Sequence, residues 1–488
     1  MEKAHCGDAL TEPVHLHKVD ESIMRLKCSA SIAREVSERF TFEVPGAKFM
    51  PAFRSRVWDG KVRLFNARNY TMYAGLAHNV RDFLEGGGYH VTADDDLVAE
   101  DEISLIEIKE FIDDLKLPVE PRDYQVRALA LAIRMKRAML ISPTASGKSM
   151  VAYLISQWFG GKTLIVVPTI SLVMQMVKDF QDYGYLGPIH GIRGGQEKVA
   201  SDGVTVSTWQ SVYDMGESFF SQFDTVIGDE AHLFKAKSLV SIMTKMPTTK
   251  YRFGMTGTLD GAEVNELVLE GLFGRVERLV KTKELMDAGH VADLSIKVLV
   301  LKHDQSMPRD ASYQDEIERI VSSNARNRFI RNLALSLKGN TLVLYALVEK
   351  HGQVLHDMIK AKGEGRSVYF VAGDTEAEDR EAIRAMAEST SDNIIVASYG
   401  TFSTGINIKN LHNIIFASPT KSRIRTLQSI GRGLRKGDDK ESCTLFDVAD
   451  DMSSKTSRNY TLNHLIERIK MYNQEGFKYE MHTIRLKE

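Results

Sequence analysis

The sequence predicts an α/β protein with two consecutive parallel-sheet domains. A small mixed α+β domain precedes them and a short helical C-terminal element follows. Three observations predict this. From residue 122 onward, short apolar runs rich in branched residues alternate with amphipathic helical stretches. Each run ends in turn or polar residues, as buried parallel strands do. The whole alternation then restarts near residue 295, which implies a second sheet covered by helices. The 488 residues divide on this reading into 1–112, 113–292, 293–450 and 451–488.

In the first unit, residues 31–39 predict a helix and residues 61–65 and 89–92 predict strands. A second helix over 77–84 stops at Gly86-Gly87-Gly88. The acidic stretch 94–102 predicts a solvated loop, and Pro118 and Pro121 flank a linker. Strands of the second unit are expected at 138–141, 163–167, 204–206 and 225–227. Those of the third fall at 299–301, 341–345, 367–371, 394–397, 414–417 and 444–447. A polar segment over 450–460 leads to an amphipathic helix at 462–472, where Arg468 and Lys470 stand beside Glu467. Packing on the second sheet domain is the expectation for that helix, with a grip on duplex as the alternative.

Composition narrows the class. Hydrophobic content of 43% and charged content of 26% are those of an ordinary soluble globular chain. A net charge of −2 gives no global field for a polyanion, so a nucleic-acid surface must be a local patch. Cys6, Cys28 and Cys443 are too scattered for a zinc site or a disulfide framework and read as free thiols of a reducing cytoplasm. The opening MEKAHCGDAL has no apolar signal region, and no run reaches the ~20 apolar residues of a membrane span.

The segment AMLISPTASGKSMVAYLISQWF reads strand, loop, helix, the context a phosphate-binding loop needs. Gly147 lets the backbone approach phosphates, and amides at the helix start point at them. Thr144, Ala145 and Ser146 share that loop. Lys148 offers a cation to the β- and γ-phosphates, and Ser149 a hydroxyl to Mg²⁺. Ser142 stands where the full phosphate-loop pattern has its first glycine. About eighty residues on, an apolar strand ends in Asp229-Glu230-Ala231-His232. There Asp229 can hold Mg²⁺ through water, and Glu230 can orient or deprotonate the attacking water. Together the two halves predict ATP hydrolysis.

The order and spacing of these motifs resemble the superfamily-two helicases and translocases, whose motor is a pair of RecA-like lobes. Arg122, Tyr124 and Gln125 resemble an adenine-recognising motif, and Thr169 lies in a segment like motif Ia. Gly194-Gly195 and Thr208-Trp209 fall where family members touch the nucleic-acid backbone. Thr256-Gly257-Thr258 resembles motif III, and Gly373 lies in a segment like motif IVa. Thr401, Thr404 and Gly405 resemble motif V, with Gly405 among the expected nucleotide contacts. Gln428, Arg432 and Arg435 resemble motif VI, whose arginines stabilise charge building on the γ-phosphate. The resemblance implies that Gln428 and His232, with Thr256 and Thr258, couple the nucleotide to motion; His232 alone also fits a buried core histidine.

Over the whole chain the resemblance extends to the UvsW-type phage DNA helicases. It is carried by PAFRSRVWDGKVRLF, SPTASGKS, STWQS, ASYGTFSTGINIKNLH, LQSIGRGLRK and the C-terminal tail. It implies ATP-dependent remodelling of branched DNA in recombination, repair and replication. The implied partners are branched, duplex and single-stranded DNA, RNA–DNA hybrids, and single-strand-binding or recombination proteins. A chain holding both lobes is expected to act as a monomer.

Arg54, Arg56, Lys61 and Arg63 cluster around Trp58. Alternate basic residues on a strand share a face and can track phosphates, while a tryptophan among them can stack on a base, wedge a junction or anchor a core. Phosphate contacts in the motor are expected from Thr169, Gly195, Thr208 and Thr401, which carry little sequence information, as a sliding motor requires. Three other readings compete. A duplex translocase of a restriction or repair assembly would not separate strands. An RNA-directed helicase would respond to RNA. A clamp that binds ATP without turnover is disfavoured by the joint presence of Lys148, Asp229, Glu230 and Arg432.

Overall fold

The computed structural model describes residues 12–486 apart from 45, 194–197, 235, 260–261, 309, 364, 406–407, 409, 436–439 and 455–456. Two compact units result: residues 1–141 with 148–279, and residues 142–147 with 280–488.

The first unit opens with β1 (Val14–Lys18), β2 (Ile23–Lys27), β3 (Thr41–Glu43), β4 (Lys61–Arg63), β5 (Phe65–Asn66), β6 (Thr71–Tyr73) and β7 (Val91–Ala93). Five of these form one sheet in the order β5-β6-β2-β1-β7, and β3 pairs with β4 in a separate ribbon. Alternation decides the faces. Val14, Leu16, Met24 and Leu26 are buried against the helix Ala30–Arg39 and the helix Ala77–Gly86, while His15 and His17 face the other way. The glycines over 86–88 end that second helix as expected.

The acidic stretch departs from the expected solvated loop. Asp95–Val98 is a short helix, and Asp94 accepts the Lys18 backbone N–H at 2.8 Å. Glu100 and Asp101 pair with Arg134 and Lys136. Asp95, Asp96 and residues 99–102 nevertheless stay exposed, so the stretch is solvated and departs from the expectation only in its short helix and these pairings.

Next come β8 (Arg137–Ile141), β9 (Thr163–Val167), β10 (Ile189–Ile192), β11 (Val204–Thr208), β12 (Thr225–Asp229), β13 (Tyr251–Thr256) and β14 (Val276–Arg278). They form an all-parallel sheet in the order β10-β11-β9-β12-β13-β8-β14. Ile165, Val167 and Ile227 enter one apolar core, while Leu164, Val166 and Val226 enter another on the opposite face. Helices cover both faces, so the strands read as continuous apolar runs. The helix Leu105–Asp114, which straddles the expected domain boundary at 112, packs Ile108 and Phe111 into the core of this sheet.

The N-terminal sheet is docked on this lobe. A Cβ at Gly75 would lie 2.2 Å from the Glu270 carbonyl oxygen, so only glycine permits that approach to the helix Glu263–Phe273. Beside it, the fully buried Arg252 donates to the Thr249 and Met243 carbonyls and to Ser22 Oγ at 3.0 Å. Ser22 in turn donates to the Met243 carbonyl at 2.9 Å.

The second unit holds β15 (Asp293–Lys302), β16 (Thr341–Tyr345), β17 (Val368–Val371), β18 (Ile394–Ser398), β19 (Asn413–Phe416), β20 (Ser442–Asp451) and β21 (Tyr479–Arg485). Their order is β17-β18-β16-β19-β20-β15-β21, again all parallel. The tail is more than a helix. After the helix Tyr460–Glu475, Gly476 turns in the left-handed region (φ 74°) and β21 joins the edge of the sheet beside β15. Two parallel-sheet lobes with a mixed N-terminal domain are thus the architecture that the sequence predicts.

Candidate active site and nucleic-acid surface

In the first lobe the carboxyl ends of adjacent strands gather the nucleotide residues, the usual place for a ligand on a parallel sheet. Ile141 ends β8, Asp229 ends β12 and Thr256 ends β13, which lies between them. The loop after β8 has Ala145 and Gly147 in the left-handed region, with φ of 70° and 76°. Successive backbone amides in such a turn make an anion cradle. Ser142 Oγ donates to Ser146 Oγ at 2.5 Å, closing the loop from the position where a first glycine is absent. Lys148 and Ser149 begin the helix Lys148–Phe159.

Lys148 Nζ lies 3.0 Å from Glu230 Oε1, with both side chains nearly buried. Glu230 itself is left-handed (φ 50°), which turns its carboxylate back toward the strand ends; its N–H donates to Asp229 Oδ1 at 3.0 Å. Burial, and then the Glu230 charge, push the Asp229 carboxyl up to about 7. His232 Nδ1 hydrogen-bonds Thr256 Oγ1 and lies 3.5 Å from Glu230 Oε2. The Thr258 N–H donates to Thr256 Oγ1 at 3.3 Å, so Glu230, His232, Thr256 and Thr258 form one connected group.

Gln125 is buried and accepts the Arg122 N–H at 2.8 Å, while Arg122 Nη1 donates to the Tyr124 hydroxyl at 2.8 Å. Sequence reasoning missed Tyr183, whose hydroxyl lies 2.9 Å from Ser149 Oγ. It sits just past the helix Ile170–Asp182, and no spacing rule marks it.

The expected nucleic-acid residues divide. Thr169 caps the helix Ile170–Asp182 and Thr208 Oγ1 bonds Ser211 Oγ, while Gln210 reaches back to the Pro168 carbonyl. Trp209 is half-buried against the lobe core. Gly195 lies outside the described residues, as do Gly194 and Cys6; the side chains of Thr404 and Gly405 are likewise not described. In the second lobe Gly373 is exposed and its carbonyl accepts Arg380 Nη2 at 2.8 Å. Thr401 is buried, and its hydroxyl lies 2.8 Å from Ser398 Oγ. Gln428 is buried and Arg432 half-buried, one turn apart on the helix Arg423–Gly433; the Arg432 guanidinium stacks 5.5 Å from the Phe402 ring centroid. Arg435 follows that helix, half-buried.

Around Trp58 the four cations are unequal. Arg63 is paired with Asp59 at 2.5 Å, and Lys61 lies 3.9 Å from Glu43. Arg54 and Arg56 are exposed and have no ion pair among the described residues. They line an open hollow of about 610 Å³ with Lys48, Phe53, Trp58 and Asp59. Trp58 is half-buried and its Nε1 donates to the Lys61 carbonyl at 2.8 Å, so it pins the ribbon rather than sitting in a core.

Comparison with known proteins settles the family. The model "DNA helicase UvsW, N-terminal" matches residues 13–94. "Type III restriction enzyme, res subunit" matches 118–261, and "Helicase conserved C-terminal domain" matches 325–437. The ATP-dependent DNA helicase uvsW of Enterobacteria phage T4 is 35% identical over 97% of this chain and 99% of its own. The chain belongs to the UvsW family of ATP-dependent DNA helicases. Consistent with this, the crystal structure of T4 UvsW matches at a TM-score of 0.52 and 33% identity, over 97% of this chain and 100% of that one. A DNA 3′-5′ translocase, XPB2 of Sulfurisphaera tokodaii, is 27% identical over 68% of this chain and 84% of its own. The DNA-bound Type ISP restriction-modification enzyme LlaBIII shares the fold at a TM-score of 0.54, covering 83% of this chain and 34% of that one. This UvsW-family enzyme is therefore a superfamily-two motor with RecA-like lobes. No helix among its described residues is long and apolar enough to cross a membrane.

Proposed function

We propose that this UvsW-family helicase unwinds or branch-migrates branched DNA, including forks, four-way junctions, displacement loops and R-loops. One observation carries the reading. Arg54 and Arg56 stand exposed on a domain that is docked on the ATP lobe through Gly75 and Arg252, so DNA gripped there is held by the lobe that binds nucleotide. Exposed Phe49 and Val57 beside them add apolar faces for unpaired bases.

For hydrolysis, the nucleotide phosphates enter the cradle over 144–147 and draw Lys148 away from Glu230. The freed Glu230 carboxylate orients water in line with the γ-phosphorus and takes its proton, and the bond to the ADP oxygen breaks. The residues present fit Mg²⁺: a buried Asp229 whose charge is disfavoured by burial and by Glu230 gains from a cation, and Asp229 and Ser149 would hold it. When bound, the ion neutralises phosphate charge. Arg432 and Arg435 stabilise the transferring group, and Gln428 with His232, Thr256 and Thr258 reads its presence. Arg122, Tyr124 and Gln125 select the base, with Gly405 a further nucleotide contact. Thr169, Gly195, Thr208, Trp209, Gly373 and Thr401 follow the DNA backbone, and the protein works as a monomer in the cytoplasm of the infected cell, beside single-strand-binding and recombination proteins.

An unwinding panel tests this. Forks of each polarity, four-way junctions and hybrids are compared with triplex displacement from plain duplex, with Glu230→Gln as the control that binds ATP without turnover. Strand separation confined to branched substrates and lost by at least about 100-fold in Glu230→Gln is expected. Triplex displacement without strand separation assigns a duplex translocase instead, and stimulation by RNA alone assigns an RNA-directed enzyme.

A further inference from the structure

The face of the N-terminal sheet turned away from its core carries a second constellation. His15 and His17 project from the same side of β1, and Asp94 follows the neighbouring β7. His15 Nε2 lies 3.0 Å from Asp94 Oδ1 and His17 Nδ1 lies 2.9 Å from Asp94 Oδ2. One donor atom from each of the three lies within 4.8 Å of the other two. We propose that His15, His17 and Asp94 bind a divalent transition-metal ion of the Zn²⁺ class, apart from the nucleotide site.

The hydrogen bonds behind the ligands carry the argument. His15 Nδ1 lies 2.9 Å from Thr92 Oγ1, and that hydroxyl lies 3.4 Å from the Val14 carbonyl, which accepts its proton. Thr92 Oγ1 is then the acceptor for His15 Nδ1–H. With Nδ1 on Thr92, His15 turns Nε2 onto Asp94 Oδ1 at 3.0 Å, and a cation between these two atoms would be held by both. Orientation of a metal-binding imidazole by a hydrogen bond on its other nitrogen is the usual outer-shell arrangement. Asp94 is fixed as well, because its Oδ2 accepts the Lys18 backbone N–H at 2.8 Å. Lys18 does not supply the cation: its ammonium lies 2.7 Å from Glu21 and 3.7 Å from Asp96.

Donor chemistry and access agree. Two imidazoles and one carboxylate suit Zn²⁺ and its neighbours rather than Mg²⁺, which favours oxygen. Side-chain exposures of 34%, 40% and 34% for His15, His17 and Asp94 leave the cluster open to an ion and to water in a remaining position.

The test uses the full chain, stripped with chelator and free of nucleotide, titrated with Co²⁺ and with Zn²⁺. One equivalent is expected to bind, and the Co²⁺ form to show the visible absorption of a nitrogen–oxygen site. The double variant His15→Gln, His17→Gln should lose that equivalent. Asp94→Asn keeps an acceptor for the Lys18 N–H, so the local fold stays, and it too should lose the ion. Thr92→Val leaves all three ligands and should weaken binding about 10-fold or more. Circular dichroism and ATP turnover serve as folding controls. An unchanged stoichiometry and spectrum in the double variant, or no binding by the unsubstituted protein, overturns the proposal, and the histidines are then only hydrogen-bond partners of Asp94.

Discussion

Asp229 shows how a single carboxylate records the need for a ligand. At 6% exposure it pays for burial of its charge, and Glu230 adds repulsion, so its proton is held up to about pH 7. An unfolded aspartate titrates near ~3.9. The folded value is the higher, so the protonated form stabilises the native state; that contribution is complete below about pH 4 and is lost as pH rises through 7. In nucleotide-free, metal-free buffer, Asp229→Asn removes the loss. Its Tm should therefore gain on the unsubstituted protein at pH 8 relative to pH 5, while hydrolysis is abolished. Thermal melts at the two pH values check this, and an equal Tm difference at both would contradict it.

At the scale of the element, the C-terminal helix is fastened by charge as well as by apolar packing. Arg468 is 3% exposed and donates to both Asp447 carboxylate oxygens, at 2.9 and 2.7 Å, and to the Thr420 carbonyl at 2.6 Å. Tyr472, one turn on, donates its hydroxyl to Asp447 Oδ2 at 2.9 Å. This answers the question the sequence left at that helix: Arg468 holds the helix to β20, while Lys470 stays on the surface with Glu467. Removing one member of such a buried pair costs about 3–5 kcal/mol, since the other is left charged and unpaired. Arg468→Ala should loosen the helix and the β21 strand that follows it. Limited proteolysis should cleave first near residue 476, and denaturant unfolding should shift by that amount.

For the whole molecule, the balance of 63 basic and 65 acidic residues leaves affinity for DNA to local patches. The patch around Trp58 is effectively smaller than its four cations, because Asp59 and Glu43 offset Arg63 and Lys61. Replacing Arg54, Arg56 and Lys61 by Ala should weaken junction binding and flatten its dependence on salt, by about one unit of slope for each phosphate that is no longer neutralised. Arg63→Ala should change the slope little. Binding isotherms across a salt titration read both, and an unchanged slope in the triple variant would return the cluster to a solvated face.

Local chemistry alone determined much of this protein. Strands at 163–167 and 341–345 are legible because a sheet covered on both faces demands unbroken apolar runs. The meeting of Lys148 with Glu230 follows from motifs whose strand-end positions are set by the parallel fold. Other features are not local. β13 is hidden by Arg252, a residue that reads as surface until carbonyls from residues 243–249 and Ser22 Oγ surround it. β21 is hidden because an edge strand with exposed side chains on Met481 and its neighbours has no apolar period, and its pairing partner β15 lies far away in sequence. The sequence equally offers four cations around Trp58 and two histidines on β1. Only the tertiary structure pairs Arg63 with Asp59, leaves Arg54 and Arg56 open, and brings Asp94 from seventy-seven positions away onto His17. The physical reason is common to all of these cases: a charged or polar group takes its role from the partners that folding brings within about 3 Å, and sequence spacing carries no record of them.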